Sequence, residues 1–181
     1  MTRALLVILA IAGFGLAVMR AFPGSPFGID RLWAAFGPPD QGAVDFTRLA
    51  RRVSPNDALA CPPGLCAAAV PDIVSPVWDV PYHELRERQR TAVLATKGEA
   101  VQVAEAMPGR GDRFVVRTPL MRFPDTIDVM VLPAEGGKST VAIYSRSLLG
   151  RSDLGANLAR IKGWLGDPAV AAGSHPRPAQ P

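Results

Sequence analysis

The stretch 126-TIDVMVLPAEGGKSTVAIYSRS-147 contains two alternating segments joined by a short connection. In residues 126–133, and again in 139–147, apolar and polar residues alternate with the period of two that is typical of a half-buried strand. The connection AEGGK has the length and the glycines that a hairpin requires. The stretch therefore predicts an antiparallel pair of strands.

Two more strands are predicted just before this pair. Residues 100–106 (AVQVAEA) and 112–118 (DRFVVRT) alternate in the same way and are joined by the short, glycine-containing MPGRG. The link 119–125 (PLMRFPD) holds two prolines, so we expect a corner there rather than a tight turn. Four strands at this spacing predict an antiparallel meander.

Helical patterns lie on either side of the four strands. Residues 82–97 are rich in good helix formers, with Pro81 suited to the first turn. Asp153 is placed to cap a second helix that runs to about Leu165. The predicted fold class is α+β: a four-stranded antiparallel sheet packed by two helices on one face, with an N-terminal transmembrane helix. For the other face of the sheet three possibilities stay open: it is solvated, it is covered by the irregular residues 46–80, or it curves round a ligand.

The order of these patterns divides the chain of 181 residues into four parts. After residues 1–21 we expect a juxtamembrane linker rich in proline and glycine over 22–45, a globular domain over 46–166 and a disordered tail over 167–181. Residues 46–80 contain five prolines and are predicted to be irregular. Residues 29–36 have apolar side chains at helical spacing, which indicates a short helix lying on a membrane or packed on the domain.

The N-terminus carries the strongest compositional signal. A short basic start is followed by Ala4 to Met19, a run without charged residues. This pattern favours an uncleaved signal anchor that forms a transmembrane helix, and a cleaved signal peptide is the alternative. The expected location is the bacterial inner membrane, single-pass, with the C-terminal domain in the periplasm. Cleavage would instead release the protein into the periplasm.

The distribution of charge along the sequence limits the classes of binding partner that we expect. The formal net charge is +4 and comes mostly from dispersed arginines, without a lysine-rich run or a basic stripe interleaved with aromatic residues. Nucleic acid is therefore not an expected partner, whereas a basic face near an anionic membrane suits this balance. P-loop, dinucleotide-binding and HExxH motifs are absent from the sequence, so we expect no cofactor and no metal site.

Cys61 and Cys66 lie close together in 61-CPPGLC-66. Two neighbouring cysteines in an exported chain indicate a disulfide. Free structural thiols and redox or metal chemistry are the alternatives. A redox pair usually has two intervening residues, and zinc would require a second pair of ligands.

Polar residues are expected to gather where the third and fourth strands meet the last helix. In an antiparallel pair the start of one strand lies beside the end of the other, so Arg122 and Asp125 should approach Arg146. The residues that follow enter the helix at the same corner. The candidate residues for an anionic ligand are Arg122, Asp125, Arg146, Arg151, Asp153, Asn157 and Arg160.

Three interpretations of this corner stay open. An Arg–carboxylate network would brace the turn from strand to helix. Surplus positive charge beside a helix N-terminus would instead bind an anionic lipid or an envelope component. A catalytic set of Ser145, His83 and Asp125 lacks the nucleophile elbow that such sets use, so no catalytic residue is assigned.

Three strings together resemble the bacterial and plant family known as domain of unknown function 1499. They are 54-SPNDALACPPGLC-66, 122-RFPDTIDV-129 and 144-YSRSLLGRSDLGANLARIKGWL-165, and the resemblance covers roughly residues 45–166. The family is typically exported or membrane-associated and has no established activity, so the resemblance implies no catalytic residues.

The function hypothesis combines these observations. We expect a membrane-anchored, periplasm-facing, non-enzymatic binding or accessory module that recognises an anionic lipid or an envelope protein. A hydrolase-like envelope enzyme that uses the Arg/Asp corner and a purely structural envelope assembly protein are the alternatives.

Overall fold

The computed structural model describes residues 2–25, 27–107, 111–172 and 174–175. Its strands are β1 (Asp57–Cys61), β2 (Ile73–Val74), β3 (Val77–Trp78), β4 (Glu99–Met107), β5 (Gly111–Arg117), β6 (Pro124–Pro133), β7 (Ser139–Ser147) and β8 (Ser174–His175). Its helices are α1 (Thr2–Ala21), α2 (Ile29–Ala34), α3 (Tyr82–Leu94), α4 (Ala156–Gly166) and α5 (Pro168–Ala171).

These strands form one mixed sheet within the described residues. Its main order is β2-β1-β7-β6-β5-β4, while β3 pairs with both β7 and β8. The strands β4 to β7 are antiparallel neighbours in chain order and occupy the segments that the alternation predicts. Strand β7 lies at the centre, because β6 pairs with one of its edges and β1 and β3 share the other.

The prediction of a four-stranded antiparallel sheet is wrong. Strand β1 adds to β7, β2 pairs with β1 in parallel, and β3 and β8 extend the sheet further. Four of the five residues of β1 are buried, so the alternation that reveals a half-buried strand is missing. The strands β2, β3 and β8 are two residues long and depend on distant partners. Strand β8 and helix α5 both fall in the predicted tail, of which residues 173 and 176–181 lie outside the described part.

The predicted transmembrane helix requires correction as well. Within the described residues, none of the helices has both the length and the apolar character that crossing a bilayer demands. A crossing needs about 20 consecutive apolar residues, and the apolar run of α1 is confined between Arg3 and Arg20. The prediction of a single-pass protein of the bacterial inner membrane is therefore overturned.

Helices α3 and α4 cover one face of the sheet, which we call the helix face. Leu85 and Val93 of α3, with Ile161 and Trp164 of α4, join one buried cluster with the strands. The strand residues of that cluster include Phe114, Ile127, Val129 and Ile143. Because side chains alternate along a strand, Ser145 and Ser147 share this face with Ile143.

The opposite face of the sheet is covered by residues 37–52, which we call the strap. Phe46 and Leu49 of the strap pack in a second buried cluster with Met130 and Tyr144. The backbone carbonyl of Pro39 accepts a hydrogen bond from Thr126 Oγ1 at 2.9 Å. Residues 46–80 are expected as one possible cover of this face, but the cover begins earlier, since Pro39 and Val44 of the predicted linker also contact it.

The predicted disulfide is confirmed. Cys61 and Cys66 are bonded, with their Cα atoms 6.4 Å apart. Both cysteines are buried in the cluster under the strap. The bond closes the proline-rich loop that follows β1, so it holds this loop against the strap face.

Candidate functional site

The sheet divides the predicted corner between its two faces. Strands β6 and β7 pair with Asp125 opposite Ser147 and Thr126 opposite Arg146. Directly opposite residues point to the same face. Asp125 therefore lies on the helix face, together with α4, whereas Arg146 lies under the strap.

Asn157 is the centre of the polar cluster on the helix face. Its side chain is fully buried, and its Nδ2 donates to Asn56 O at 3.1 Å and to Ser147 Oγ at 3.0 Å. Its Oδ1 accepts hydrogen bonds from Ser145 Oγ and from Arg160 Nη1. One amide thus joins β7, α4 and the segment before β1.

Arg160 links this amide to the carboxylate of β6. Its Nη2 lies 2.8 Å from Asp125 Oδ2, and its Nη1 lies 2.9 Å from Asn157 Oδ1. The ion pair is largely buried on both sides. Two of the predicted residues therefore neutralise each other, as the bracing interpretation requires.

Asp153 lies just before α4, whose N-cap residue is Gly155. Its Oδ2 accepts a hydrogen bond from the backbone N–H of Asn157 at 2.7 Å, and its Oδ1 accepts one from the N–H of Gly155 at 3.0 Å. A carboxylate of the chain itself therefore already binds amides that an external anion would use. This geometry argues against an anion site on the helix end.

Arg146 is buried under the strap and pairs with a carboxylate that the sequence reasoning missed. Its Nη1 donates to Asp128 Oδ2 at 2.8 Å, and its Nη2 donates to Gly42 O at 2.5 Å. The side chain of Arg146 is only 4% exposed, and that of Asp128 only 1%. Asp128 sits three residues after Asp125 and faces the other way, so the alternation in 126–133 is the signal that would have found it.

Burial has a strong effect on Asp128. It raises the pKa of this carboxyl to about 6, although the nearby guanidinium groups of Arg146 and Arg113 oppose the change. One oxygen, Oδ1, is buried without a hydrogen-bond partner among the described residues. Arg113 is itself held by Asp40 through two bonds of 2.7 and 2.9 Å, and this contact lowers the pKa of Asp40.

The contribution of Asp128 to stability should therefore fall between about pH 4 and pH 6. The folded-state pKa of Asp128 lies above its usual value of 3.8, so folding takes up a proton in this window and the stabilisation disappears as the pH rises. The difference between these two pKa values corresponds to a change of about 3 kcal/mol at most in the free energy of unfolding. Urea unfolding measures this effect. Between pH 4 and pH 7, the free energy of unfolding of Asp128→Asn should rise relative to that of the wild type by up to this amount.

The matched control for this experiment is Glu135→Gln. Glu135 is an exposed carboxylate, so the same loss of one charge should leave the pH profile parallel to that of the wild type. Parallel profiles for Asp128→Asn would show that Asp128 does not titrate in this window.

Arg122 belongs to a third group, at the end of the link before β6. Its Nε and Nη2 donate to the two carboxylate oxygens of Asp30, each at 2.8 Å, and Nη2 also contacts Glu99 Oε2 at 2.8 Å. These partners raise the pKa of Arg122 further above its usual value. Asp30 lies in α2, a distant segment, so the sequence offered no signal for this contact.

A cavity of about 350 Å³ opens between the link before β6 and the loop before α4. Its apolar walls come from Phe123, Leu149, Leu154 and Ala156, and Asp125 also lines it. Small-molecule sites have volumes of about 300–1,000 Å³ and mainly apolar walls. Two of the three strings that carry the family resemblance, 122–129 and 144–165, thus line one cavity, although their arginines do not form one cluster.

Leu154 at the rim of this cavity has an unfavourable conformation. Its φ is 54°, in the left-handed region that costs an ordinary residue about 1–2 kcal/mol. Its side chain is 96% exposed, so packing against the domain does not offset this cost. Strained residues concentrate at functional sites, and Arg122, just before the wall residue Phe123, also has a φ of 54°.

Arg151 differs from the other predicted arginines. It lies between Gly150 and Ser152, which both line the cavity, and its side chain is exposed. It forms neither an ion pair nor a side-chain hydrogen bond with the residues that the structure describes.

The residues of the catalytic alternative do not assemble. Ser145 is fully buried and donates its hydroxyl hydrogen to Asn157. His83 lies at the start of α3, where its ring contacts Tyr82. Among the described residues, no group of three or more histidine, cysteine, aspartate or glutamate side chains is arranged to hold a metal ion.

Comparison with known proteins places the chain in a family. The family model described as "Protein of unknown function (DUF1499)" matches residues 60–167, which is more than half of the chain. The chain therefore belongs to this family, as the three strings indicate. No curated protein and no solved structure matches it.

Proposed function

We propose that this chain is a non-enzymatic binding module and that its ligand occupies the cavity between Phe123 and Leu154. The observation that carries the proposal is Leu154, an exposed apolar residue held in a strained conformation at the rim of an apolar cavity. Exposure of this apolar side chain does not stabilise the folded chain, and its backbone conformation costs about 1–2 kcal/mol. A role in contacting a ligand explains both.

The polar corner beside the cavity supports binding over catalysis. Asp125 is held by Arg160 and Ser145 by Asn157, so neither group is available as a general base or a nucleophile. The same network supplies a rigid wall. A purely structural role would account for the buried ion pairs, but it would leave the cavity and the strain at Leu154 without a purpose.

The first test changes the rim residue. Leu154→Asn should raise the free energy of unfolding by about 0.5–1 kcal/mol, because asparagine tolerates the left-handed region better than leucine. The same change should weaken binding of decan-1-ol by about tenfold, because one apolar contact with the ligand is lost. Urea unfolding measures the first effect, and titration followed by amide chemical shifts measures the second.

Val70→Asn is the matched control, since Val70 is also apolar and exposed but does not line the cavity. It should leave the affinity for decan-1-ol unchanged. Absence of ligand-induced shifts at residues 149–156 in the wild type would contradict the proposed site.

A further inference from the structure

The loop that lines the cavity carries an exposed cationic side chain, that of Arg151. Arg151 follows Gly150 and precedes Ser152, two residues of the cavity wall. Its guanidinium makes no ion pair or hydrogen bond with the described residues. An exposed cation without a partner among the described residues thus belongs to the loop that lines the cavity.

The two carboxylates that line the cavity, Asp125 and Asp153, have partners of their own. Asp125 is already paired with Arg160 at 2.8 Å. Asp153 is engaged by the backbone amides of Gly155 and Asn157 at 3.0 and 2.7 Å. Because both carboxylates have donors of their own, the charge of Arg151 is left for a group that the chain does not supply.

The other arginines of the predicted corner do not offer this charge. Arg160, Arg122 and Arg146 each form an ion pair with a carboxylate of the chain. An anionic ligand that approaches this end of the sheet would therefore find its counter-charge at Arg151. The sequence alone does not separate Arg151 from the other three arginines. The ion pairs observed in the structure do.

The volume and the walls of the cavity indicate the chemistry of the uncharged part of the ligand. Its volume of about 350 Å³ corresponds to about a dozen volumes of liquid water at about 30 Å³ each. Phe123, Leu149 and Leu154 provide apolar walls, which suit an aliphatic chain rather than a sugar or a nucleotide. A chain of about ten carbon atoms would fill the space.

We propose that the ligand is an anionic amphiphile whose single aliphatic chain lies in the cavity and whose carboxylate contacts Arg151. This inference rests on the proposed function, because it specifies the occupant of the same cavity. An arginine–carboxylate pair at the surface contributes modestly, so the charged end should improve affinity by about threefold to fivefold. The aliphatic chain supplies most of the binding free energy.

The test compares three probes with the same aliphatic chain: decanoate, decan-1-ol and decylamine. Each is titrated into the full chain at pH 7.5, decan-1-ol below its solubility limit and the two charged probes below their micelle concentrations. Amide chemical shifts give the affinity and the location. Decanoate should bind at residues 149–156 about threefold to fivefold more tightly than decan-1-ol, and decylamine should bind most weakly. Arg151→Gln should reduce the affinity for decanoate to that for decan-1-ol without affecting decan-1-ol.

Arg48→Gln is the control, because Arg48 is an exposed arginine in the strap, on the other face of the sheet. It should leave all three affinities unchanged. Equal affinities for decanoate and decan-1-ol, both insensitive to Arg151→Gln, would overturn the anionic ligand and leave the binding site in place. Tightest binding of decylamine would also overturn it, in favour of a cationic ligand beside Asp125. If none of the probes shifts residues 149–156, the proposed function itself fails.

Discussion

Replacing Arg146 by methionine is expected to lower the free energy of unfolding by about 3–5 kcal/mol at pH 8. The change leaves Asp128 buried without its counter-charge and removes the donor that binds Gly42 O. The loss should be smaller at pH 5, because a protonated Asp128 requires no counter-charge and its pKa is already raised to about 6. Urea unfolding at the two pH values measures both effects.

The control is the same substitution at Arg151, which is exposed and unpaired within the described residues. Arg151→Met should change stability by no more than about 0.5 kcal/mol. The double variant Arg146→Met/Asp128→Leu should recover much of the loss, since an apolar pair of similar volume often replaces a buried ion pair without cost. The bracing role of Arg146 would be falsified if its replacement cost no more than that of Arg151.

Asn157→Ala is expected to destabilise the domain by about 3–4 kcal/mol. Four hydrogen bonds of the side chain are lost, and Asn56 O, Ser147 Oγ and Arg160 are left with fewer partners in a buried region. Each buried group without a partner costs about 1–3 kcal/mol, and residual water offsets part of this. Equilibrium unfolding in urea gives the value.

Two further variants separate hydrogen bonding from volume. Asn157→Asp keeps the size but loses the Nδ2 donors, so it should cost at least as much as Asn157→Ala. Lys162→Ala removes an exposed side chain from the same helix and should have little effect. An Asn157→Asp variant as stable as the wild type would show that this amide does not hold the corner together.

The long periodic elements could be predicted from the sequence, and the short ones could not. Strands β4 to β7 and helices α3 and α4 each repeat a pattern over seven residues or more. Strand β1 is buried on both faces, so it lacks the alternation. The sequence of the strap has no periodic pattern of apolar residues. Isolated hydrogen bonds to distant residues, such as that from Arg52 Nη1 to Ser147 O, hold it in place.

The arrangement of the candidate site could also be predicted only in part from the sequence. The sequence predicts that Asp125 and Arg146 lie at one end of the sheet, and they do. Their separation onto two faces depends on register, since Asp125 pairs with Ser147 rather than with Arg146. A shift of one residue moves a side chain to the other face, and the hairpin loop that sets this register cannot be derived from composition alone.

The central position of β7 has a consequence for synthesis of the protein. The strap and β1 both depend on β7, and the bond from Arg146 to Gly42 joins residues 104 positions apart. At a translation rate of about 5–20 residues per second, the strap is made about 5–20 seconds before its partner strand. During that interval Phe46, Leu49 and the cysteine loop have no sheet to cover. The N-terminal half of the domain therefore reaches its final packing only after the ribosome has made β7.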